Sequence, residues 1–190
     1  MVVISLNSLS GRPLEIPSLP ELAQRGAYGE GLWYSAKDLS EMLDYAAARG
    51  IQAFIEIDMP GHTNSIAYSH PDLIAASNIQ PNWVTYANQP PSGQLKLNNS
   101  DVQSFVTSIL ADILPRTESS SNYFHSGGDE VNKNVYLLDP GINSNLTNVI
   151  QPYLQDFVLY CSSFSTLIRV ASMIKFLQLI VHRLSGRKCC

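Results

Sequence analysis

The sequence predicts an α/β fold with a parallel sheet. Three observations carry that expectation. Two strand-like runs, 51–57 and 123–126, each follow an amphipathic helical pattern, at 35–50 and at 100–115, and such alternation favours parallel strands joined by helical crossovers. The first run is apolar at every position except Gln52 and Glu56, as in a strand covered on both faces. Both runs end in acids, glycine and histidine: Glu56-Ile57-Asp58-Met59-Pro60-Gly61-His62-Thr63 and His125-Ser126-Gly127-Gly128-Asp129-Glu130. Two acid-tipped strands in one chain point to one site assembled from successive strand ends.

Taken in order, residues 11–31 are rich in Pro and Gly and read as loop, with one helical turn at 21–24. Ser35 opens a helix as a capping box with Asp38, and Leu39, Met42, Leu43, Ala46 and Ala47 form its apolar stripe up to Gly50 as the C-cap. After the strand, residues 59–99 show no strong period, and long irregular stretches in compact domains are usually functional. Tyr68, His70, Trp83 and Tyr86 in that stretch can stack on a sugar or simply pack the loop down. Ser100 is expected to cap the next helix with Gln103 at the box position. Its buried face is Phe105, Val106, Ile109, Leu110 and Ile113, and Pro115 is expected to stop it. The strand at 123–126 then leads into the acid pair. Asp139-Pro140-Gly141 marks a turn, and 149–158 can be helical.

Composition narrows the class. With 45% hydrophobic and 15% charged residues the chain is globular rather than disordered. Its net charge of -4 argues against a general nucleic-acid binder. Residues 1–150 hold 7 Lys/Arg against 15 Asp/Glu, whereas 151–190 hold 5 against 1 and all three cysteines, Cys161, Cys189 and Cys190. Residues 159–184 are apolar but interrupted by Arg169, Lys175 and His182, a poor fit to a membrane span. A basic amphipathic helix at a membrane surface is the lesser reading; a tail foreign to the domain is the preferred one. The N-terminus has no basic n-region of a secretory signal, while the sequons at Asn98 and Asn145 lean toward a secreted ancestry.

The chemistry rests on Asp129 and Glu130. Adjacent carboxyls in a pocket do not both ionise freely, so one is expected to hold a proton near neutral pH, leaving one acid and one anion. Gly-Gly-Asp-Glu alone also fits a solvated turn; the matching stretch upstream favours the reactive reading. His62, at a Pro-Gly-His turn, and His125 are each candidates for orienting groups or for core histidines. A metal site is a rival, since Asp58, His62, His125, Asp129 and Glu130 include hard ligands. No histidines stand at helical i, i+4 spacing and no cysteine pair lies near, so neither metal nor cofactor is assigned.

These two stretches together, in their order and separation, resemble the family 20 glycoside hydrolases, the beta-N-acetylhexosaminidases. Pro13-Leu14-Glu15-Ile16-Pro17-Ser18-Leu19-Pro20-Glu21-Leu22 resembles the loop before that family's second barrel helix, and the likeness covers roughly residues 5–158. The resemblance implies a partial (β/α)8 TIM barrel with first-half strands only, since a whole barrel takes about 250 residues. The expected domains are therefore a partial catalytic barrel over 1–158 and an atypical basic, apolar tail, helical or disordered, over 159–190. Two departures stand out. The family's first-strand Arg falls upstream of Met1, and the loop at 7–12 offers no acid to partner His62.

The implied reaction is retaining hydrolysis of terminal N-acetylglucosamine or N-acetylgalactosamine, with the substrate's own acetamido oxygen as nucleophile. By resemblance Glu130 is the general acid and base, and Asp129 holds the acetamido N–H. Asp58, His62 and His125 are substrate-binding or orienting groups, and Glu56 is left as a barrel-interior residue. The implied partner is an N-acetylhexosamine-terminated oligosaccharide or glycan, with neither nucleic acid nor membrane, and a homodimer stays open. The family points to a secreted, lysosomal or vacuolar setting. The alternative is a non-catalytic truncated homologue or sugar-binding remnant. Open strand edges and uncovered apolar faces lead to the expectation of a poor folder and a poor enzyme.

Overall fold

The computed structural model describes residues 2–5, 13–97, 99–121, 123–125, 127–128 and 130–138. Asp129, Ser126, the loop at 7–12, both sequon asparagines, the turn at 139–141, the helix expected at 149–158 and the tail over 159–190 lie outside the described residues.

Strand β1 (Val2–Ser5) pairs in parallel with β2 (Ala53–Glu56), Val2 opposite Ala53 through Ser5 opposite Glu56. A single parallel bridge, Glu56 to His125, continues the sheet: the His125 N–H donates to Ile55 O at 2.9 Å and Ile57 N–H donates to His125 O at 3.0 Å. The parallel order expected from the alternation is therefore present. Helices α1 (Glu21–Gly26) and α2 (Ala36–Ala47) lie between β1 and β2 in the chain, and α3 (Ser100–Thr117) lies between β2 and His125.

Ala53, Phe54 and Ile55 are all buried, so β2 is covered on both faces. Leu39 and Leu43 of α2 and Phe105, Val106, Ile109, Leu110 and Ile113 of α3 join Ala53 and Ile55, with Phe124 and Tyr136, in one apolar cluster. Fully burying each such aliphatic side chain contributes roughly 1.5–3 kcal/mol. This cluster holds the strand ends, and with them the site, in place.

Ser35 caps α2 as its sequence requires. Its hydroxyl accepts from Asp38 N–H at 3.1 Å, and the Asp38 carboxylate accepts from the Ser35 hydroxyl at 2.7 Å and its N–H at 2.8 Å. These hydrogen bonds, the hydroxyl's first, hold the Asp38 carboxyl below its ordinary range, with Lys37 adding a smaller pull and slight burial opposing. Glu15 adds a second anchor from outside the helix, its carboxylate accepting from Ala36 N–H at 3.1 Å.

Several expectations are corrected. The strand is Ala53–Glu56, shorter than 51–57, because Ile51 N–H closes the end of α2 by donating to Ala46 O at 3.0 Å, with Gly50 in the left-handed region at φ 67. Ala47 faces solvent, so the apolar stripe stops at Ala46. Asn99, not Ser100, caps α3: its side-chain oxygen accepts from Asp101 N–H at 2.8 Å, and Ser100 is already helical. Pro115 does not stop α3, which runs on to Thr117. The proline sits in the last turn, where α3 ends two residues later and Glu118 N–H still donates to Leu114 O at 3.1 Å. Among the described residues of the strand expected at 123–126, pairing is the one bridge at His125.

Residues 59–99 are not wholly irregular. They hold short 3-10 turns at Asn64–Tyr68, Pro71–Leu73 and Trp83–Thr85 and an antiparallel ribbon of β3 (Ile74–Ala75) and β4 (Gln94–Leu95). His70 packs on Phe105 of α3 with ring centroids 5.0 Å apart and reaches Glu21 of α1 at 3.4 Å, so it takes the packing role of its two readings. A last short helix, α4 (Lys133–Tyr136), follows the acid pair, capped by Asn132. No helix among the described residues is long and apolar enough to cross a membrane.

Candidate active site

The first turn leaves β2 and buries its acid. Asp58 is 2% exposed, flanked by fully buried Met59, and Thr63 closes the turn by donating to Pro60 O at 3.0 Å. A buried carboxylate needs compensation, and Asp58 draws part of it from the second turn: Gly128 N–H donates to its Oδ1 at 2.5 Å. The same contact explains the paired glycine. A Cβ on Gly127 would overlap the Asp58 carboxylate and its Cα, and the backbone there has φ 63. Only glycine lets the two turns approach this closely.

That approach brings His62 to Glu130. His62 Nε2 lies 3.3 Å from Glu130 Oε2 and 3.9 Å from Asp58 Oδ2. His62 and Glu130 both adopt left-handed backbone, at φ 51 and φ 53, a conformation that costs a side-chain-bearing residue on the order of 1–3 kcal/mol and that gathers at functional sites. The Glu130 side chain is 28% exposed, His62 14% and Asp58 1%, so the three form a graded path from solvent to interior. Among the described residues, the acids beside His62 are Asp58 and Glu130.

His125 is placed separately. Its Nδ1 lies 3.2 Å from Glu56 Oε2 and 3.3 Å from Gly127 N. Glu56, expected as a barrel-interior residue, thus lies beside the second turn. The parallel bridge that sets Glu56 opposite His125 decides this, and only strand register could have revealed it. Gln94 was also missed: it is 3% exposed, and its amide meets both backbone groups of Asn132 at 3.0 Å. A buried polar residue on a two-residue strand inside an irregular stretch leaves no periodic signal.

Behind Asp58 and His62 lies a cavity of ≈ 80 Å³ lined by Leu14, Ile16, Leu22, Ile66 and Ile109 among others. Ligand pockets run to about 300–1,000 Å³, so this space by itself is smaller than a usual ligand site. No cluster of three or more His, Cys, Asp or Glu suited to a metal ion occurs among the described residues.

Comparison with known proteins gives the family. The profile described as glycosyl hydrolase family 20, catalytic domain, matches residues 5–171. A beta-hexosaminidase of Arthroderma benhamiae is 42% identical over 151 residues, covering 80% of this chain and 25% of its own length. A probable beta-hexosaminidase of Drosophila melanogaster is 37% identical over 118 residues, covering 60% and 18%. The chain thus spans about a quarter or less of the curated relatives it matches. Among solved structures, a chitobiase from Flavobacterium johnsoniae superposes with TM-score 0.69 at 19% identity over 86% of this chain and 25% of that one. A beta-N-acetylhexosaminidase from Bacteroides fragilis gives 0.66 at 24% identity over 85% and 33%. Such identities speak for the fold, while the profile carries the family. By the 5–171 match, around two acid-tipped turns closed on one another, this chain belongs to the catalytic domain of glycosyl hydrolase family 20.

Proposed function

We propose that this chain carries the acid side of a beta-N-acetylhexosaminidase site, for hydrolysis of terminal N-acetylglucosamine or N-acetylgalactosamine with retention. The observation that supports it most is the 3.3 Å approach of His62 to Glu130, with Asp58 buried behind. Glu130 is the general acid that protonates the leaving oxygen and then the base that activates water. Asp129 holds the acetamido N–H and stabilises the positive charge of the oxazolinium formed by the substrate's own acetamido oxygen. Asp58 and His62 orient Glu130, and His125 orients the glycine turn. The substrate is an N-acetylhexosamine-terminated glycan, and the net charge of -4 supports a neutral sugar over nucleic acid. The domain reading keeps residues 1–158 as catalytic barrel, and the secreted, lysosomal or vacuolar setting is carried over from the family.

Glu130→Gln tests the assignment in a chain extended to a full barrel. An amide cannot donate the proton, so release of an alcohol of high pKa from an N-acetylglucosaminide is expected to stop, while a good leaving group suffers less at the first step. Equal turnover in variant and parent removes Glu130 from the role. Asp129→Asn is expected to slow every N-acetyl substrate, and oxazoline closure at the parent rate would count against it. The 190-residue chain itself is expected to turn over below the usual range of about 1–1,000 per second.

A further inference from the structure

The two turns that form the site are far apart in sequence, and one short strand touches both. In β4, Leu95 N–H donates to Pro60 O at 3.0 Å, gripping the Asp58-to-His62 turn by its backbone. The preceding Gly93 closes on Asn64, just past His62: a Cβ there would meet Asn64 Oδ1 at 2.6 Å and its Cα at 2.9 Å. From the same strand the buried Gln94 reaches the other turn. Its Nε2 donates to Asn132 O at 3.0 Å and its Oε1 accepts from Asn132 N–H at 3.0 Å. That two-point pairing imitates a strand partner and clamps the backbone two residues after Glu130. Asn132 is held further by donating through Nδ2 to Thr85 O at 3.2 Å, and Asn134 adds a bond to the same oxygen at 3.0 Å.

We propose that Gln94 is a positioning residue for Glu130: β4 fixes the His62 turn through Leu95 and the Glu130 turn through Gln94, and so sets the His62–Glu130 distance. The proposal rests on the reading of Glu130 as general acid. The physical case is that Glu130 sits in strained left-handed backbone, which persists only where surrounding contacts over-determine it. A buried amide with both its oxygen and its nitrogen engaged is such a contact, and it is costly to leave half-satisfied. Gln94 touches no substrate; it acts through Asn132.

Two substitutions in the 190-residue chain test this. Gln94→Met keeps length and removes both hydrogen bonds. Gln94→Glu keeps the acceptor and, once protonated, regains a donor; its own titration is expected at or above about 4.3, since burial disfavours the charged form. The first readout needs no turnover: in nitrogen-15-labelled protein, the His62 Nε2 shift is expected to respond to Glu130→Gln in the parent, and to lose most of that response in the Met background, as a double-mutant cycle. The second is hydrolysis of aryl N-acetylglucosaminides. In the Met variant kcat on poor leaving groups is expected to fall ~10- to 100-fold with KM nearly unchanged, and less on good ones. The Glu variant's rate relative to the parent is expected to rise on acidification, while that of the Met variant stays flat. A folded Met variant that keeps the full His62 response and the parent's leaving-group dependence overturns the proposal, as does a Glu variant with no acid recovery. Lack of turnover in every variant, the parent included, is the result a partial barrel gives, and the His62 response then decides Gln94 alone.

Discussion

The turn at 57–63 and the turn at 125–131 are made of the same residue types, an acid, glycine and histidine after a buried strand end, yet the fold uses them oppositely. In the first, Asp58, Met59 and Thr63 are buried, and the acid is a fixed internal acceptor. In the second, Gly127, Gly128 and Glu130 all take positive φ, and Glu130 reaches the surface. The first turn is the mould and the second is shaped against it: Gly128 donates into Asp58, and Gly127 lies flat on it. Similar sequence therefore did not mean similar duty. Burial decided which acid supports and which is presented.

The sharpest way to break that contrast is Gly127→Ala. A Cβ would overlap Asp58 in a backbone region that already disfavours side chains, so the combined cost is expected at about 2–6 kcal/mol from strain and overpacking. Urea unfolding measures it, and a loss below about 1 kcal/mol would show that the turns can separate freely. Asp58→Ala attacks the mould itself. It leaves Gly128 N–H buried without its acceptor, at roughly 1–3 kcal/mol, and should speed amide exchange at Gly128 while leaving that of α2 unchanged. Unchanged exchange at Gly128 would mean the contact carries no weight.

Ser35→Ala serves as a remote reference, expected to cost about 1 kcal/mol through α2 alone. It also links to pH. Asp38 has a lowered folded value, so its contribution is present above the unfolded carboxylate range and lost as pH falls through the folded value. Without the Ser35 hydroxyl the dependence of stability on acid pH should flatten slightly. Since Ser35 touches neither turn, a change in Gly128 exchange in Ser35→Ala would blur the distinction drawn between them.

Local chemistry was legible wherever its partner lies within a few residues. The Ser35-Asp38 box, the Leu39 and Leu43 stripe, the Phe105-to-Ile113 face, the buried β2 and the parallel order all follow from spacing and periodicity, and the paired motifs sufficed to indicate the family. Ends were less legible, because Asn99 outcompeted Ser100 as a cap and Pro115 falls in the last turn of α3 without stopping it. What only the tertiary structure decided are contacts between residues tens of positions apart: Glu56 beside His125, Gly128 on Asp58, Gln94 on Asn132, His62 against Glu130. Each depends on strand register and on which backbone approaches which, and these are set by the packing of the whole core rather than by any local pattern.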